Sequence, residues 1–231
     1  MIYHELAEIY DQLIKDDEAN KHWLQFIIDH VQGKRIFELA CGSGELAVAL
    51  AKAGYTVTAT DFSDDMLEKA KEKDKEQGVS FFNMNMLSWT VEDKYDAVIC
   101  FCDSINYLSN YDELKYVFSQ ANKHLAENGV LLFDMHHSHR LIEFQDEWDE
   151  EGKIGDISYQ WIIESDYDQI IHYFNFIKDR HVVQEVHVQT VFDCNKVIEL
   201  LKNCGFMVEV FNDYDIFNED LMERYFFVAS K

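Results

Sequence analysis

The chain has 231 residues, of which 48% are hydrophobic and 14% aromatic. This composition excludes an intrinsically disordered protein and indicates one large domain, or one domain with a small appendage. Acidic residues number 44 against 20 Lys and Arg, so the formal net charge is −24. Nucleic-acid backbones and anionic membrane surfaces are bound through Lys and Arg, and we therefore expect neither as a partner.

The start of the chain and its cysteines predict a cytoplasmic protein. The first residues carry acids where a secretory signal would carry bases, and no long apolar segment follows them. Apolar runs such as residues 97–102 are far shorter than the ~20 residues that span a bilayer. The five cysteines form no C-x-x-C pair, which is typical of reduced thiols in the cytoplasm.

Strand-like and helix-like segments alternate from the first predicted helix to about residue 140. Strands are predicted over residues 35–39, 55–60, 79–82, 97–102 and 130–134. Helices are predicted over residues 18–32, 44–53, 63–77 and 113–126, the third of them with Ser63 as its N-cap. This alternation favours a parallel sheet with right-handed crossovers.

The pattern changes after residue 142. Residues 143–151 are rich in acids and predict a solvated boundary, and three β-rich runs follow over residues 156–165, 169–178 and 182–192, with turns at 166–168 and 179–180. In the last run, Val186, Val188 and Thr190 alternate with His187 and Gln189, as in a half-buried antiparallel strand. A helix from Asn195 to Gly205 and strands over 207–210 and 225–229 complete the chain.

These elements predict three parts. Residues 1–142 would hold N-terminal helices and an α/β core, and residues 143–194 would form an inserted antiparallel β subdomain. Residues 195–231 would return to the core as its last helix and closing strands. The insert would serve as a lid or as a dimer surface.

The segment 38–45 (ELACGSGE) lies directly between a predicted strand and a predicted helix. Small residues at Ala40, Gly42 and Gly44 let a ligand approach the backbone, and the helix N-terminus supplies free N–H groups. Asp61 ends the next strand, where a carboxylate suits the two hydroxyls of a ribose. Phe62 is placed to pack on an adenine face. Together these residues predict an adenosine-containing cofactor.

Two phosphate-binding motifs fit this segment poorly. A dinucleotide fingerprint, G-x-G-x-x-G/A, is matched only by a reading that starts two residues late and ends at Ala47. That reading also directs Glu38 at a site built for a negative pyrophosphate, whereas an acid suits the cationic amino-acid end of S-adenosylmethionine. A P-loop is excluded because the chain has no G-K-[S/T] sequence.

Residues 38–44 resemble motif I of the class I S-adenosylmethionine-dependent methyltransferases, with Ala40 in place of the first glycine. Residues 61–67 (DFSDDML) resemble the family's second motif, D-x-S-x-x-M-L. Residues 6–13, 102–108 and 224–229 are similar to one bacterial subgroup, which carries a β-sheet subdomain inserted after the fifth strand. The resemblance implies a Rossmann-like α/β fold: a mostly parallel sheet with an antiparallel last strand, helices on both faces and an inserted antiparallel β layer.

The resemblance also implies S-adenosyl-L-methionine as cofactor, with S-adenosylhomocysteine as product. The residues that it implies around the cofactor are Tyr10, Glu38, Ala40, Cys41, Gly42, Gly44, Asp61, Phe62, Met66, Asn85, Met86, Cys102 and Asp103. Glu38 would lie near the amino end, and the glycine loop would line the methionine and ribose portions.

Other members of this set would contact the remaining parts of the cofactor. Asp61 would take the ribose hydroxyls, and Phe62 and Met66 would flank the adenine. The pair at 85–86 (NM) stands where the family commonly has an acid and an apolar residue beside the adenine amino group. Residues 102–103 (CD) would face the sulfonium, and Tyr10 would close over it.

Methyl transfer needs alignment and exclusion of water, and it needs a general base only if the acceptor starts protonated. His136, just after the fifth predicted strand, is the candidate base, with a structural histidine or a substrate contact as the alternatives. The nearby set Asp134, His136, His137 and His139 is not expected to bind metal, because 134 and 136 share a strand face that 137 opposes.

The sequence therefore predicts an S-adenosylmethionine-dependent methyltransferase that acts by in-line displacement on an unidentified small-molecule acceptor. Nucleic-acid amino groups are disfavoured, since Asn106 and Tyr107 lack the prolines of an N-P-P-Y-type motif. Two alternatives remain open: an NAD-dependent oxidoreductase, and a non-catalytic S-adenosylmethionine-binding module. A homodimer through the β insert is also open.

Overall fold

A computed structural model describes residues 6–14, 16–76, 78–178, 181–212 and 222–231. In these ranges, the strands of the main sheet are β1 (Arg35–Glu38), β2 (Thr56–Asp61), β3 (Val79–Asn83), β4 (Tyr95–Cys100), β5 (Leu125–His136), β10 (Met207–Asn212) and β11 (Arg224–Ser230). They form a sheet in the order β10-β11-β5-β4-β1-β2-β3. Among the described strands of this sheet, β11 runs in the opposite direction to all the others and pairs antiparallel with both β5 and β10. The predicted parallel sheet with an antiparallel last strand is confirmed.

Helices cover both faces of this sheet, as predicted. They are α1 (Leu6–Leu13), α2 (Asp17–His30), α3 (Glu45–Lys52), α4 (Asp64–Lys73), α5 (Tyr111–His124), α6 (Arg140–Glu143) and α7 (Cys194–Asn203), with a short 3₁₀ helix over Ser104–Tyr107. Because side chains alternate along a strand, Ile36 and Ile99 pack on the α2–α3 side while Phe37 and Val98 pack on the α5–α7 side.

A second, antiparallel sheet follows β5 and has four strands: β6 (Trp148–Ile154), β7 (Ile157–Asp166), β8 (Gln169–Lys178) and β9 (His181–Thr190). The predicted boundary over 143–151 is solvated in its second half, but that half is not a simple boundary, because strand β6 begins at Trp148. No residue of β6 is buried, and this edge strand is held by backbone pairing with β7. An apolar pattern could not reveal it. The predicted turn at 179–180 lies outside the described residues.

The strand β9 is present as predicted, but the side that it buries is the polar one. Glu185, His187 and Gln189 are nearly inaccessible, whereas Val186 and Val188 remain 43% and 41% exposed. Alternation alone predicts a half-buried strand with its apolar side inward. In this protein the inward side of β9 contacts polar groups at the carboxyl ends of β4 and β5.

Three boundaries differ from the sequence-based expectations. α4 ends at Lys73 rather than near residue 77, because the Asp74 carboxylate accepts hydrogen bonds from the backbone N–H groups of Gly78 and Val79 and turns the chain. β4 ends at Cys100, and Cys102 follows it with a left-handed φ of 60°. The two cysteines therefore do not share a strand face. β5 begins at Leu125, which pairs with Tyr95 of β4. It continues through His136 because β11 pairs with it from Val130 to His136, with Arg224 opposite His136.

Candidate cofactor and acceptor site

The loop between β1 and α3 is held in an unusual backbone conformation. Ala40, Gly42 and Gly44 all have left-handed φ angles, of 52°, 53° and 77°. A Cβ atom added at Gly42 would meet nothing within 4 Å, so the backbone there is open to a ligand. At Gly44 it would lie 2.7 Å from the Cβ of Ala70, so glycine is needed for α3 to pack on α4. Cys41, which lies between Ala40 and Gly42, is half-buried.

Glu38, at the end of β1, is 3% exposed. Its Oε2 atom is buried and has no hydrogen-bond partner among the described residues. Burial, and then the nearby charge of Asp61, raises the pKa of Glu38 to about 8. A buried carboxylate without a partner costs free energy, and a ligand that carries a positive charge would relieve that cost. This side chain therefore fits the cationic amino end of S-adenosylmethionine.

Asp61, at the end of β2, lies beside the loop. Its Oδ2 accepts a hydrogen bond from the backbone N–H of Gly42 at 2.8 Å, and its Oδ1 accepts one from Ser63 N–H at 2.8 Å. Burial raises the pKa of Asp61, and these backbone hydrogen bonds oppose that rise. Each carboxylate oxygen has a second acceptor position, so Asp61 can hold the loop and still accept from ribose hydroxyls.

The structure places the residues predicted to flank the adenine in contrasting environments. Phe62 is 67% exposed and is free to stack, whereas Met66 is 1% exposed within α4. Asn85 and Met86, after β3, are half-buried. The side-chain oxygen of Asn85 already accepts a hydrogen bond from Leu87 N–H at 2.8 Å. That bond orients the amide, and the oxygen retains one further acceptor position.

Tyr10 of α1 forms a side-chain hydrogen bond with Cys102, so the N-terminal helix meets the chain just after β4. Burial raises the pKa of the Cys102 thiol to about 12, which leaves it protonated at neutral pH.

The attachment of α1 to the core was not predicted. Lys73 Nζ lies 2.6 Å from Asp11 Oδ2 and 2.9 Å from Glu45 Oε1. The same Nζ also donates to Ser43 Oγ, which in turn donates to Asp11 Oδ1. These bonds tie α1 to the glycine loop.

Two buried carboxylates share one arginine at the ends of β4 and β5. Arg224 Nη1 lies 2.7 Å from Asp103 Oδ1 and 2.8 Å from Asp134 Oδ2, and Asp134 Oδ1 accepts from the backbone N–H of Asp103. Burial raises the pKa of Asp134 to about 7 despite Arg224. Burial also acts to raise the pKa of Asp103, but Arg224 and then His136 outweigh it, and the net shift is downward. Asp103 therefore stays anionic where the sulfonium is expected.

His136 lies next to this group and is 4% exposed. Its Nδ1 is 3.7 Å from Asp103 Oδ1, and its Nε2 is 2.9 Å from the side-chain oxygen of Gln189. Burial lowers the pKa of His136, with Asp103 opposing. The neutral form, which can accept a proton, therefore predominates near neutral pH.

The insert sheet supplies side chains that the sequence-based analysis had not assigned to the site. Gln189 and His172 join the His136 group, and Tyr107 Oη lies 2.9 Å from His187 Nδ1. Asn106 fastens the insert to the core, since its amide donates to Thr190 O and accepts from His136 N–H. The sequence of β9 carried no signal of this role, because the polar side of an alternating strand is expected to face solvent.

The described residues hold neither a candidate metal site nor a membrane-spanning helix. No group of three or more His, Cys, Asp or Glu side chains in the described ranges is arranged to hold a metal ion. Within the same ranges, no helix combines the length and apolar character needed to cross a bilayer.

Comparisons with known proteins point to one family. Residues 36–129 match a family described as a methyltransferase domain. The chain is 35% identical to YqeM of Bacillus subtilis (strain 168), over 100% of this chain and 98% of YqeM, whose own methyltransferase assignment is provisional.

Solved structures extend the likeness over the whole chain. An S-adenosylmethionine-dependent methyltransferase from Clostridium acetobutylicum ATCC 824 superimposes with a TM-score of 0.83 and 26% identity, covering 99% of this chain and 98% of that one. CalS10, an amino pentose methyltransferase from Micromonospora echinaspora solved with its cofactor bound, shares the fold with a TM-score of 0.77 at 15% identity, covering 100% and 98% of the two chains.

Proposed function

Because the chain belongs to the class I S-adenosylmethionine-dependent methyltransferases, we propose that it methylates an amine nitrogen of a small molecule by in-line displacement, with His136 as general base. When bound, S-adenosylmethionine supplies a methyl group on a positively charged sulfur. Glu38 would hold its amino end, Asp61 its ribose and Phe62 its adenine. The acceptor would lie between the ends of β4 and β5 and the polar inner side of the insert.

One observation carries the proposal: a buried, neutral His136 has Nδ1 beside the Asp103 carboxylate. An amine arrives at neutral pH as an ammonium ion, which the carboxylate attracts. It must then lose a proton before its lone pair can attack, and Nδ1 is placed to accept that proton.

The basicity of His136 favours nitrogen over oxygen. Amino groups have ordinary pKa values of roughly 8–10, within a few units of histidine. A hydroxyl resembles water, whose pKa is about 16, and lies far outside that range. The name of CalS10 records methylation of an amino sugar by a protein of the same fold, which agrees with an amine acceptor.

Methyl-labelled S-adenosylmethionine, incubated with the protein and a fractionated cell extract, tests this assignment. We expect the label to appear in low-mass cationic products that resist mild alkaline hydrolysis, because N-methyl bonds survive it and methyl esters do not. Label that accumulates in the protein or nucleic-acid fraction, or that is released as methanol by alkali, would contradict a small amine as acceptor. Protein heated to denaturation provides the blank.

We further propose that the insert forms a homodimer through its outer side. Val182, Val186 and Val188 lie exposed on that side of β9, at 68%, 43% and 41%, and contiguous exposed apolar residues mark association surfaces. Light scattering should give twice the chain's molar mass, and one chain's mass for Val186→Asp. A monomeric wild-type protein would refute the dimer.

A further inference from the structure

The side chains Trp161, His172 and Gln189 form a hydrogen-bonded row that leads to His136. They lie on β7, β8 and β9, on the inner side of the insert. Trp161 Nε1 donates to His172 Nδ1 at 3.2 Å, and the Nε2 atoms of His172 and His136 lie 3.0 and 2.9 Å from the same oxygen of Gln189. Any catalytic role of this row rests on the proposed function of His136 as the general base.

Proton positions along the row follow from its first member. An indole N–H only donates, so His172 Nδ1 must be the acceptor. Burial lowers the pKa of His172 to about 4, so that the ring is neutral at physiological pH. A neutral imidazole with an accepting Nδ1 carries its proton on Nε2, and that N–H must then meet an acceptor, the oxygen of Gln189.

The orientation of the Gln189 amide is thereby fixed. With its oxygen toward both histidines, its NH₂ group points to the carbonyl oxygen of Asp103, at 3.4 Å. The reversed amide would offer N–H to His172 Nε2, which would then have to accept at both ring nitrogens, and a neutral imidazole cannot do so. Since the oxygen also faces His136 Nε2, that nitrogen must carry the proton of the neutral ring.

We propose that Trp161, His172 and Gln189 are positioning residues that place the proton of neutral His136 on Nε2 and so keep its Nδ1 lone pair directed at the reacting centre beside Asp103. The opposite tautomer would present an N–H to the acceptor and could not take its proton. A single indole on β7 therefore sets which nitrogen of a histidine on β5 acts as the base.

The direct test is a long-range ¹H–¹⁵N spectrum of the full chain labelled with ¹⁵N-histidine, because the two tautomers of imidazole differ in nitrogen shifts and in two-bond couplings. His136→Gln and His172→Gln identify the two signals by their loss. Above pH 7, both rings of the wild-type protein should be neutral with the proton on Nε2. A proton on Nδ1 of either ring would overturn the proposal, and the tautomers themselves are read from the wild-type protein, with the variants used only for assignment.

Trp161→Phe tests the origin of the effect. It keeps an aromatic ring against Phe174, which stacks on Trp161 with a centroid separation of 5.1 Å, and it removes the donor. His136 should then show a mixture of tautomers. Turnover should fall about tenfold, a part of the roughly 10²–10⁴-fold that a placed base contributes, while affinity for S-adenosylhomocysteine stays unchanged.

The matched control is Trp148→Phe, at the neighbouring indole that meets Trp161 edge-on at 5.3 Å and stands outside the row. It should leave the His136 spectrum and the turnover unchanged. A Trp161→Phe protein that keeps the pure Nε2 tautomer would overturn the role of the indole. A correct tautomer together with full turnover in His136→Gln would instead refute the proposed function and leave the row intact.

Discussion

Arg224→Met is expected to lower the free energy of unfolding by roughly 3–5 kcal/mol at neutral pH, the usual cost of removing one partner from a buried ion pair. Arg224 is the shared partner of Asp103 and Asp134, both nearly inaccessible to solvent. Urea unfolding at several pH values measures the effect. The exposed pair Arg35–Asp93, with side chains 46% and 67% accessible, provides the control, and Arg35→Met should cost less than about 1 kcal/mol.

The pH dependence of this variant has a definite sign. Without Arg224, the pKa of Asp134 in the folded protein rises further above the unfolded value near 4, and the pKa of Asp103 loses the attraction that lowers it. An acid whose folded pKa is raised loses stability as the pH rises from the unfolded to the folded value. The difference between wild type and Arg224→Met should therefore widen from pH 5 to pH 8, and Asp134→Asn in the same chain should reduce it. A difference independent of pH would contradict the interpretation that Arg224 is the shared counterion of Asp103 and Asp134.

His136→Gln is expected to reduce turnover by roughly 10²–10⁴-fold, the contribution of a placed general base. Affinity for S-adenosylhomocysteine should change little, because the residues proposed to hold its amino end and its ribose, Glu38 and Asp61, lie on β1 and β2. In the wild-type protein the rate should fall only below the ordinary histidine pKa of 6.5, since burial lowers the pKa of His136. The variant should lack that acidic fall.

The neighbouring His137 provides a matched control for this prediction. It is half-buried, contacts the Tyr225 ring at a tilt with a centroid separation of 4.4 Å, and lies outside the row that ends at His136. His137→Gln should retain wild-type turnover. If His136→Gln instead retains most of the activity, or if both variants lose it equally, His136 is a structural histidine.

Features encoded in neighbouring residues were predictable from the sequence. The loop after β1 carries its signal in a few consecutive small residues, and Ser63 caps α4 through its own side chain, which accepts from Met66 N–H. The parallel direction of the first five strands was predictable from the alternation of strands and helices.

Features that depend on distant contacts were not predictable. The contact between His136 and Gln189 joins residues 53 positions apart, and nothing in either local sequence indicates it. Alternation in β9 identifies a strand but is the same whichever side faces inward, so the apolar side was expected to be buried. The side chains of Glu185 and Gln189 are buried because the insert lies over the polar and charged groups at the carboxyl ends of β4 and β5.

Ionisation of the buried Glu38 carboxyl affects the stability of the unliganded protein, and this effect can be measured apart from cofactor binding. Its pKa in the unliganded protein is raised to about 8 from the usual 4.5, through burial and then Asp61. Such a group contributes stability below its unfolded pKa, and that contribution is lost as the pH rises toward 8. Glu38→Gln removes the ionisation and should therefore make the unliganded protein more stable than wild type at pH 8.

Calorimetric titration of wild type and Glu38→Gln with S-adenosylmethionine, S-adenosylhomocysteine and NAD tests the cofactor site most directly. The account predicts binding of both sulfur compounds and not of NAD, with affinity reduced at least about tenfold in the variant, since a hydrogen bond to a charged group contributes roughly 1.5–3 kcal/mol. Glu68→Gln, on the exposed side of α4, should bind as wild type. Binding of NAD alone, or equal affinity in Glu38→Gln, would contradict the account.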